Sequence, residues 1–330
     1  MNVLSEIEFC KTYQNQQINL EDTLILGDCF KILPLIRTSS KIKTIIIDPP
    51  YNISSKRIFT RKECDNLNLN FGKWDHFNEE TESMDRIITI DDYINYYNIK
   101  KEKLSEMKLG ELISEVNFLN WIFNLFNELY RVLDDNGSIF IFCPDKYISP
   151  LRIYGTFTLG MNYKHTIIWY KTNPPPRFLK NSLANANEFC CYFQKSSDST
   201  FHFLGQKEMR SWFSGIVGGK ERLKRWSRKN QKYVTLHPTQ KPESLIRKLI
   251  TMSSDEGDII ADFMGGSFTT PSVAKQENRK YFACEKNYVY FKYGKMRVEQ
   301  SKTRKYYRQK IRQKEDKKQT QVSINQYLQK

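Results

Sequence analysis

The sequence predicts an α/β fold: a mainly parallel sheet with helices on both faces. Three observations predict it. Seven short apolar runs recur along the chain, several of them continuously apolar rather than alternating, and helical periodicity appears between them. Strands covered on both faces lose the in–out alternation, and strands that alternate with helices pair in parallel because the helix returns the chain across the sheet.

The runs are Thr23–Asp28 (TLILGD), Thr44–Asp48 (TIIID), Ser138–Phe142 (SIFIF), His165–Lys171 (HTIIWYK), Glu188–Gln194 (EFCCYFQ), Asp258–Phe263 (DIIADF) and Tyr281–Glu285 (YFACE). In Phe118–Leu133 the residues Phe118, Ile122, Leu125, Leu129 and Leu133 recur at helical spacing, with Gly137 where a helix exit would lie. Pro242 opens a second helix with Leu245, Ile246, Leu249 and Ile250 on one face. A third starts near Thr269 or Thr270 and carries Val273 and Ala274.

Three segments do not fit the sheet. Residues 53–115 are polar and charged and read as an insertion, with helix around Tyr93–Met107. Residues 196–236 are basic and aromatic without clear periodicity, and 299–330 form a Lys/Arg/Gln-rich tail. No internal repeat is present.

Fifty-two Lys and Arg against thirty-seven Asp and Glu leave a net charge of +15, which points to a polyanionic partner. Aromatic residues at 14% add surfaces on which bases can stack. The seven cysteines (Cys10, Cys29, Cys64, Cys143, Cys190, Cys191, Cys284) are scattered and contain no C-x-x-C pair. That argues against a disulfide framework and a metal site, and fits a reducing cytoplasm with most thiols as small buried hydrophobes. No apolar run approaches membrane-spanning length, and the start, MNVLSEIEFC, lacks the pattern of a secretory signal.

Three motifs carry chemistry. The first is Asp48-Pro49-Pro50-Tyr51, directly after the run TIII. An exocyclic amino group on a base is a poor nucleophile, because its lone pair is delocalised into the ring. A carboxylate (Asp48) and a backbone carbonyl stiffened by two prolines (Pro49) can take its two hydrogens and free that pair. Tyr51 offers a face for a base taken out of the stack. Alone, the tetrapeptide fits equally well a strand-end turn with an Asp cap. Its place at the carboxyl end of a buried strand favours a ligand site.

The second is Asp262-Phe263-Met264-Gly265-Gly266-Ser267-Phe268-Thr269-Thr270, read as strand, glycine turn and helix. Glycines let backbone approach a bulky ligand, although an ordinary βα turn has the same composition. The strand that follows ends in Glu285, where an acid accepts hydrogen bonds from ribose hydroxyls or simply faces solvent. Together these outline an adenosine site without the G-x-G-x-x-G fingerprint of a nicotinamide enzyme. The third, His237-Pro238-Thr239-Gln240-Lys241-Pro242, concentrates donors at a helix start and by chemistry alone reads also as a cap.

These motifs, in this order, resemble the beta class of DNA amino-methyltransferases of bacterial restriction–modification systems. The likeness runs from about Asn19 to Val298, and WIFNLFNELYRVLDDNGSIFIF and IIWYKTNPPPRF also look like family segments. The resemblance implies a Rossmann-like S-adenosylmethionine-dependent methyltransferase sheet of seven mostly parallel strands, one antiparallel, with permuted motif order. It makes 19–298 the catalytic domain, interrupted by a DNA-contacting cap at 53–115 and a target-recognition region at 196–236. Asp48, Pro49, Pro50 and Tyr51 then handle the flipped-out base, and Asp48 also borders the cofactor. Asp262, Gly266 and Ser267 would hold the methionine part of S-adenosylmethionine, within a turn that includes Phe263, Met264, Gly265 and Thr269. Glu285 would hold its ribose, while Asp28, Cys29, His237, Thr239, Gln240 and Lys241 line the same pocket.

Two residues depart from the family turn: Met264 stands where Phe is usual and Phe268 where Gly is usual. Our expectation is a turn rebuilt around Gly265-Gly266 that still binds the cofactor. Asp at the head of the catalytic motif leans toward N6 of adenine; N4 of cytosine, RNA as substrate, and an inactive DNA-binding relative are the alternatives. Double-stranded DNA is the expected partner, with a cognate restriction endonuclease and a homodimer as family traits. For DNA contact the basic residues of 196–236 stand out: Arg210, Lys220, Arg222, Lys224, Arg225, Arg228 and Lys229, interleaved with Trp212, Phe213, Trp226 and Tyr233. A solvated basic loop is the plainer reading of that segment. The tail would add salt-dependent, sequence-independent affinity.

Overall fold

The computed structural model describes residues 1–15, 19–37, 41–51, 86–100, 104–174, 181, 183–217, 221–227, 231–237 and 239–303. Eleven strands alternate with eight helices along these residues. They run β1 (Asn2–Ser5), α1 (Glu6–Asn15), β2 (Thr23–Leu26), α2 (Cys29–Ile32), β3 (Ile42–Ile47), α3 (Ile90–Tyr96), α4 (Glu106–Val132), β4 (Leu133–Cys143), α5 (Ile148–Ile153), β5 (Asn162–Lys171), β6 (Asn187–Gln194), β7 (Trp212–Gly215), β8 (Lys224–Ser227), β9 (Lys232–Thr235), α6 (Glu243–Ser253), β10 (Ile259–Asp262), α7 (Thr269–Gln276), β11 (Lys280–Glu285) and α8 (Tyr288–Gln300).

Nine strands form one sheet in the order β1-β2-β11-β10-β3-β4-β6-β5-β7, and β8 pairs with β9 in a separate ribbon. Only β6 runs against the others in the large sheet; every other neighbouring pair is parallel. The seven strands read from the sequence are its contiguous middle, and the single reversed strand agrees with the resemblance. Two short edge strands, β1 and β7, extend it to nine.

Both faces are covered, which explains the unbroken apolar runs. Ile45, Ile47, Ile139 and Ile141 face a core made with α1, α2, α4 and α5. Their neighbours Ile46, Phe140 and Phe142 face a second core made with α6, α7 and α8. In α6 the predicted stripe Leu245, Ile246, Leu249 and Ile250 is fully buried, each side chain contributing ~1.5–3 kcal/mol of burial.

Several boundaries differ from expectation. Gly137 lies inside β4, not at a helix exit, because α4 passes directly into the strand at Leu133. A side chain at Gly137 would meet the Lys43 carbonyl at 2.8 Å, so close packing of β3 explains the glycine. The helix expected around Tyr93–Met107 is divided. α3 ends at Tyr96, followed by Asn98 at φ 49°, and α4 starts at Glu106 with Ser105 as its cap. α1 and α8 were not foreseen, nor were the short strands β7, β8 and β9 within 196–236. Most of 53–115 and the tail beyond 303 lie outside the described residues. Cys29, Cys143, Cys190, Cys191 and Cys284 are buried free thiols. Among the described residues no helix is long and apolar enough to cross a membrane.

Candidate active site

Parallel strands end on the same edge of a sheet, so β2, β3, β10 and β11 deliver their carboxyl ends to one place. A cavity of about 590 Å³ opens there. It gathers residues from five separate stretches of chain. Asp28 and Cys29 follow β2, Asp48 to Tyr51 follow β3, His237 and Thr239 to Lys241 precede α6, Asp262 to Ser267 and Thr269 follow β10, and Glu285 ends β11. Phe30, Trp121, Lys286, Asn287 and Tyr290 also line it without having been singled out in the sequence, and Phe142 and Ile246 add apolar wall.

The floor is built around Asp48. Its Oδ1 accepts the Tyr51 hydroxyl at 2.8 Å, and its Oδ2 accepts the Lys241 ammonium. Lys241 also reaches Glu188 Oε2 at 2.9 Å and the Tyr51 hydroxyl oxygen at 3.3 Å. Burial pushes the Asp48 carboxyl above its ordinary value, and the Lys241 ammonium opposes that rise. The Lys241 side chain is buried, but the two carboxylates keep its pKa above the ordinary range. Its three donors are thus spent on Asp48, Glu188 and Tyr51, so the ammonium belongs to the floor of the site.

Glu285 ties two turns together: its Oε2 accepts the Gly266 N–H at 2.7 Å and its Oε1 the Asn287 N–H at 2.6 Å. Each oxygen keeps a second lone pair for a ligand. Asp262 accepts the Met264 N–H at 3.1 Å, and burial pushes its carboxyl up to about 7. Burial likewise pushes Glu285 up to about 7. Asp28 caps α2 through the Phe30 N–H (3.1 Å) and pairs with Lys286 at 2.8 Å. His237 stays neutral, its pKa lowered to about 4 by burial and then by Lys241 and Arg222, with its ring edge-on to Tyr290. The Ser267 and Thr269 hydroxyls lie 3.3 Å apart, and Arg297 donates to Thr269 at 3.0 Å.

Gln240 does something the sequence did not show. Its Oε1 accepts the Leu223 N–H at 3.1 Å and its Nε2 donates to the Glu221 carbonyl at 3.2 Å. The residue therefore lines the cavity while anchoring the chain that enters β8. Arg222, taken from the sequence as a DNA contact, is half-buried and donates to the His237 carbonyl at 3.4 Å. Lys224 and Arg225 are exposed on β8, where Trp226 faces Tyr233 across the ribbon at 5.2 Å. Arg210 is exposed with its guanidinium 5.5 Å from the Trp212 ring. Lys220, Arg228 and Lys229 lie outside the described residues.

The geometry also accounts for Phe268. It sits at φ 53°, the left-handed region a glycine would fill without strain, but its ring turns away from the cavity and is fully buried. It packs edge-on to Phe291 at 5.6 Å and over Gly294, whose added Cβ would lie 2.9 Å from the ring. An added Cβ on Gly265 would run into the same ring. Two glycines thus make room for one phenylalanine behind the turn.

The family model described as DNA methylase (N6_N4_Mtase) matches residues 42–296, spanning every motif above. The chain belongs to this DNA methylase family. As such it is a DNA amino-methyltransferase. The methylase is 28% identical over 290 residues to the Type II methyltransferase M.HinfI of Haemophilus influenzae, covering 85% of this chain and 69% of that protein. It is 24% identical over 287 residues to the Type II methyltransferase M2.LlaDCHI of Lactococcus lactis subsp. cremoris, covering 85% and 90%. Among solved structures, the PvuII DNA methyltransferase (cytosine-N4-specific) shares the fold with a TM-score of 0.58 at 14% identity, over 84% of this chain and 86% of that one. The M1.HpyAVI–SAM complex gives 0.50 at 20% identity, over 83% and 98%.

Gly265→Ala should destabilise the methylase by ~1–3 kcal/mol through overpacking against Phe268. In a Phe268→Gly background the same substitution should cost clearly less. A double-mutant cycle in urea measures this; equal costs in both backgrounds would show that the ring and the glycine are not coupled.

Proposed function

We propose that this methylase transfers a methyl group from S-adenosylmethionine to N6 of adenine in a base flipped out of double-stranded DNA. One observation carries the reading: the Asp48–Tyr51 turn and the Asp262, Gly266 and Glu285 cluster face the same cavity. Acceptors for a base amino group and a cradle for a nucleoside-bearing cofactor thus share one space.

The residues fit that cofactor. Glu285, at the end of β11 with a lone pair left on each oxygen, suits ribose hydroxyls. Asp262, once it gives up its proton, suits the cationic amino group of the methionine part. A side chain at Gly266 (φ 52°) would lie 3.0 Å from the His237 ring, so the backbone stays bare where the ligand must come close. Phe263 and Met264 supply apolar wall, and Met is a soft substitute for the family's Phe. When bound, the cofactor supplies an electrophilic methyl group on a positively charged sulfur.

The chain's own residues do the rest. Asp48 Oδ and the Pro49 carbonyl accept the two amino hydrogens and leave the lone pair directed into the cavity. A carboxylate has about four acceptor positions, so the bonds from Tyr51 and Lys241 leave room for the base. Tyr51, tethered by its hydroxyl to Asp48, presents its ring as a stacking face. The proton released by the alkylated amino group has Asp48 as its nearest acceptor. Most of the acceleration comes from positioning and preorganised charge. Asp rather than Ser at position 48 supports adenine over cytosine.

The exposed basic and aromatic side chains of the β8–β9 ribbon support a DNA-contacting role for 196–236, since a two-stranded ribbon fits the major groove. The cap at 53–115 and the tail at 299–330 are proposed as further contacts from the charge of their sequences.

Incubation of the methylase with labelled S-adenosylmethionine and unmethylated bacterial DNA, followed by digestion to nucleosides, should yield N6-methyladenine. Asp48→Ala should abolish the product and still bind the cofactor. N4-methylcytosine as the product would overturn the adenine assignment, and turnover by Asp48→Ala would overturn the role of the carboxylate.

The raised pKa of Asp262 gives a second expectation. A carboxyl that titrates near 7 is mostly protonated at pH 6, and a cationic ligand must first drive off that proton. Affinity for S-adenosylmethionine should therefore fall as pH is lowered from 8 to 6, approaching about tenfold per unit below the pKa. Calorimetry at both pH values checks this, and equal affinity at both would contradict it.

A further inference from the structure

Behind the floor of the cavity lie two charged side chains, Lys171 and Glu188, that the mechanism above does not use. Lys171, the last residue of β5, places its ammonium 2.7 Å from Glu188 Oε1, and Glu188 Oε2 lies 2.9 Å from Lys241. Lys241 in turn bonds Asp48. The signs alternate from Lys171 through Glu188 and Lys241 to Asp48, and the four charges cancel. The side chains of Lys171, Glu188 and Lys241 are only 11%, 10% and 5% exposed, too little for solvent to screen them. Neither Lys171 nor Glu188 is among the residues that line the cavity, and both lie behind Lys241 and Tyr51.

The antiparallel pairing of β5 and β6 creates this contact. Trp169 is registered with Glu188, and the Lys171 N–H bonds the Ala186 carbonyl, so residues far apart in sequence meet at one end of the hairpin. The surroundings are apolar: Lys241 lies 4.8 Å from the Phe142 ring, and Lys171 lies 5.6 Å from the Trp169 ring. A buried ion pair in such a place is seldom more stabilising than apolar residues of equal size, so stability alone explains it poorly.

We propose that Glu188 and Lys171 are positioning residues that set how strongly Lys241 is held at Asp48, and through it the protonation of Asp48. This rests on the reading of Asp48 as acceptor for the base amino group. Lys241 is shared between two carboxylates. Lys171 satisfies Glu188 from behind and thereby leaves Lys241 available to Asp48. Without Lys171, Glu188 would draw Lys241 toward itself, and the buried Asp48 would gain a proton more readily. A protonated Asp48 has lost one of its acceptor positions for the amino group.

The groups facing this cluster come from several elements. Glu188 and Cys190 approach Asp48 from β6, Asp262 from β10, Lys241 from the loop before α6, and Tyr51 from its own turn. His237 faces Lys241, and Cys143 of β4 faces Tyr51. Burial opposes the charge on Glu188, but Lys241 and Lys171 outweigh it and hold that carboxyl below its usual range. The Glu188 charge acts in the opposite sense on Asp48, raising it.

The test is the pH dependence of kcat in the full-length methylase. In Glu188→Gln, Asp48 loses a negative neighbour and keeps Lys241 to itself, so the acid limb should move to lower pH. In Lys171→Met the limb should move to higher pH. Each shift should be about one pH unit, while the KM for S-adenosylmethionine stays unchanged. Lys171→Arg should restore the wild-type profile. Where the Met variant does not fold, Lys171→Gln carries the same comparison, since it keeps a donor but not the charge. An acid limb unmoved by both substitutions, or moved in the same direction by both, would overturn the proposal. Asp48→Ala in the same series separates the two ideas. Turnover without the carboxylate refutes the underlying reading, whereas a dead Asp48→Ala with unshifted Glu188 and Lys171 variants refutes only this one.

Discussion

The ammonium of Lys241 is the contact on which the catalytic end of the sheet depends. It lies where β3, β6 and the loop before α6 converge, and its three donors go to Asp48, Glu188 and Tyr51. Remove it, and Glu188 keeps Lys171 while the buried Asp48 has no cation beside it and faces a negative neighbour, so its carboxyl is driven toward the protonated form. The acceptor character of Asp48 follows from that one group. The glycine turn after β10 and the acid at the end of β11 then form the opposite wall of the same cavity.

Much of this was legible in the sequence because it is local. Asp48-Pro49-Pro50-Tyr51 follows an unbroken apolar run, and Asp262 and Glu285 close two more such runs. In a parallel sheet the ends of such runs converge, so motifs more than two hundred residues apart come to line one space. The seven central strands were visible for the same reason: burial on both faces leaves an apolar signature. The helix α6 announced itself through Pro242 and a clean stripe.

What stayed hidden depends on register or on tertiary partners. Lys171 and Glu188 read as polar ends of apolar strands, and only the β5–β6 pairing shows that they meet. Gln240 was expected along the cofactor pocket and lines the cavity, but the sequence did not show that its amide also holds the Glu221 and Leu223 backbone. That link joins the cavity wall to the ribbon that carries Trp226 and Tyr233. Arg222 looked like a phosphate contact and turned inward to the His237 carbonyl. Phe268 looked like an obstruction. The small residues that relieve it are Gly265, close by in sequence, and Gly294, in a helix whose apolar residues give no clear stripe. β7, β8 and β9 are short, partly exposed and lie at an edge or outside the sheet, so they carry no apolar run to reveal them.

The most direct measurement is single-turnover methyl transfer by Lys241→Met, with cofactor affinity followed in parallel by calorimetry. With the ammonium gone, Glu188 keeps Lys171 and Asp48 should take up a proton at neutral pH. The rate should fall about 10²-fold below wild type at pH 7, recover in part as the pH is raised toward 9, and leave cofactor affinity within a few-fold of wild type. A Lys241→Met protein that transfers methyl groups at the wild-type rate, with the wild-type pH profile, would contradict this expectation.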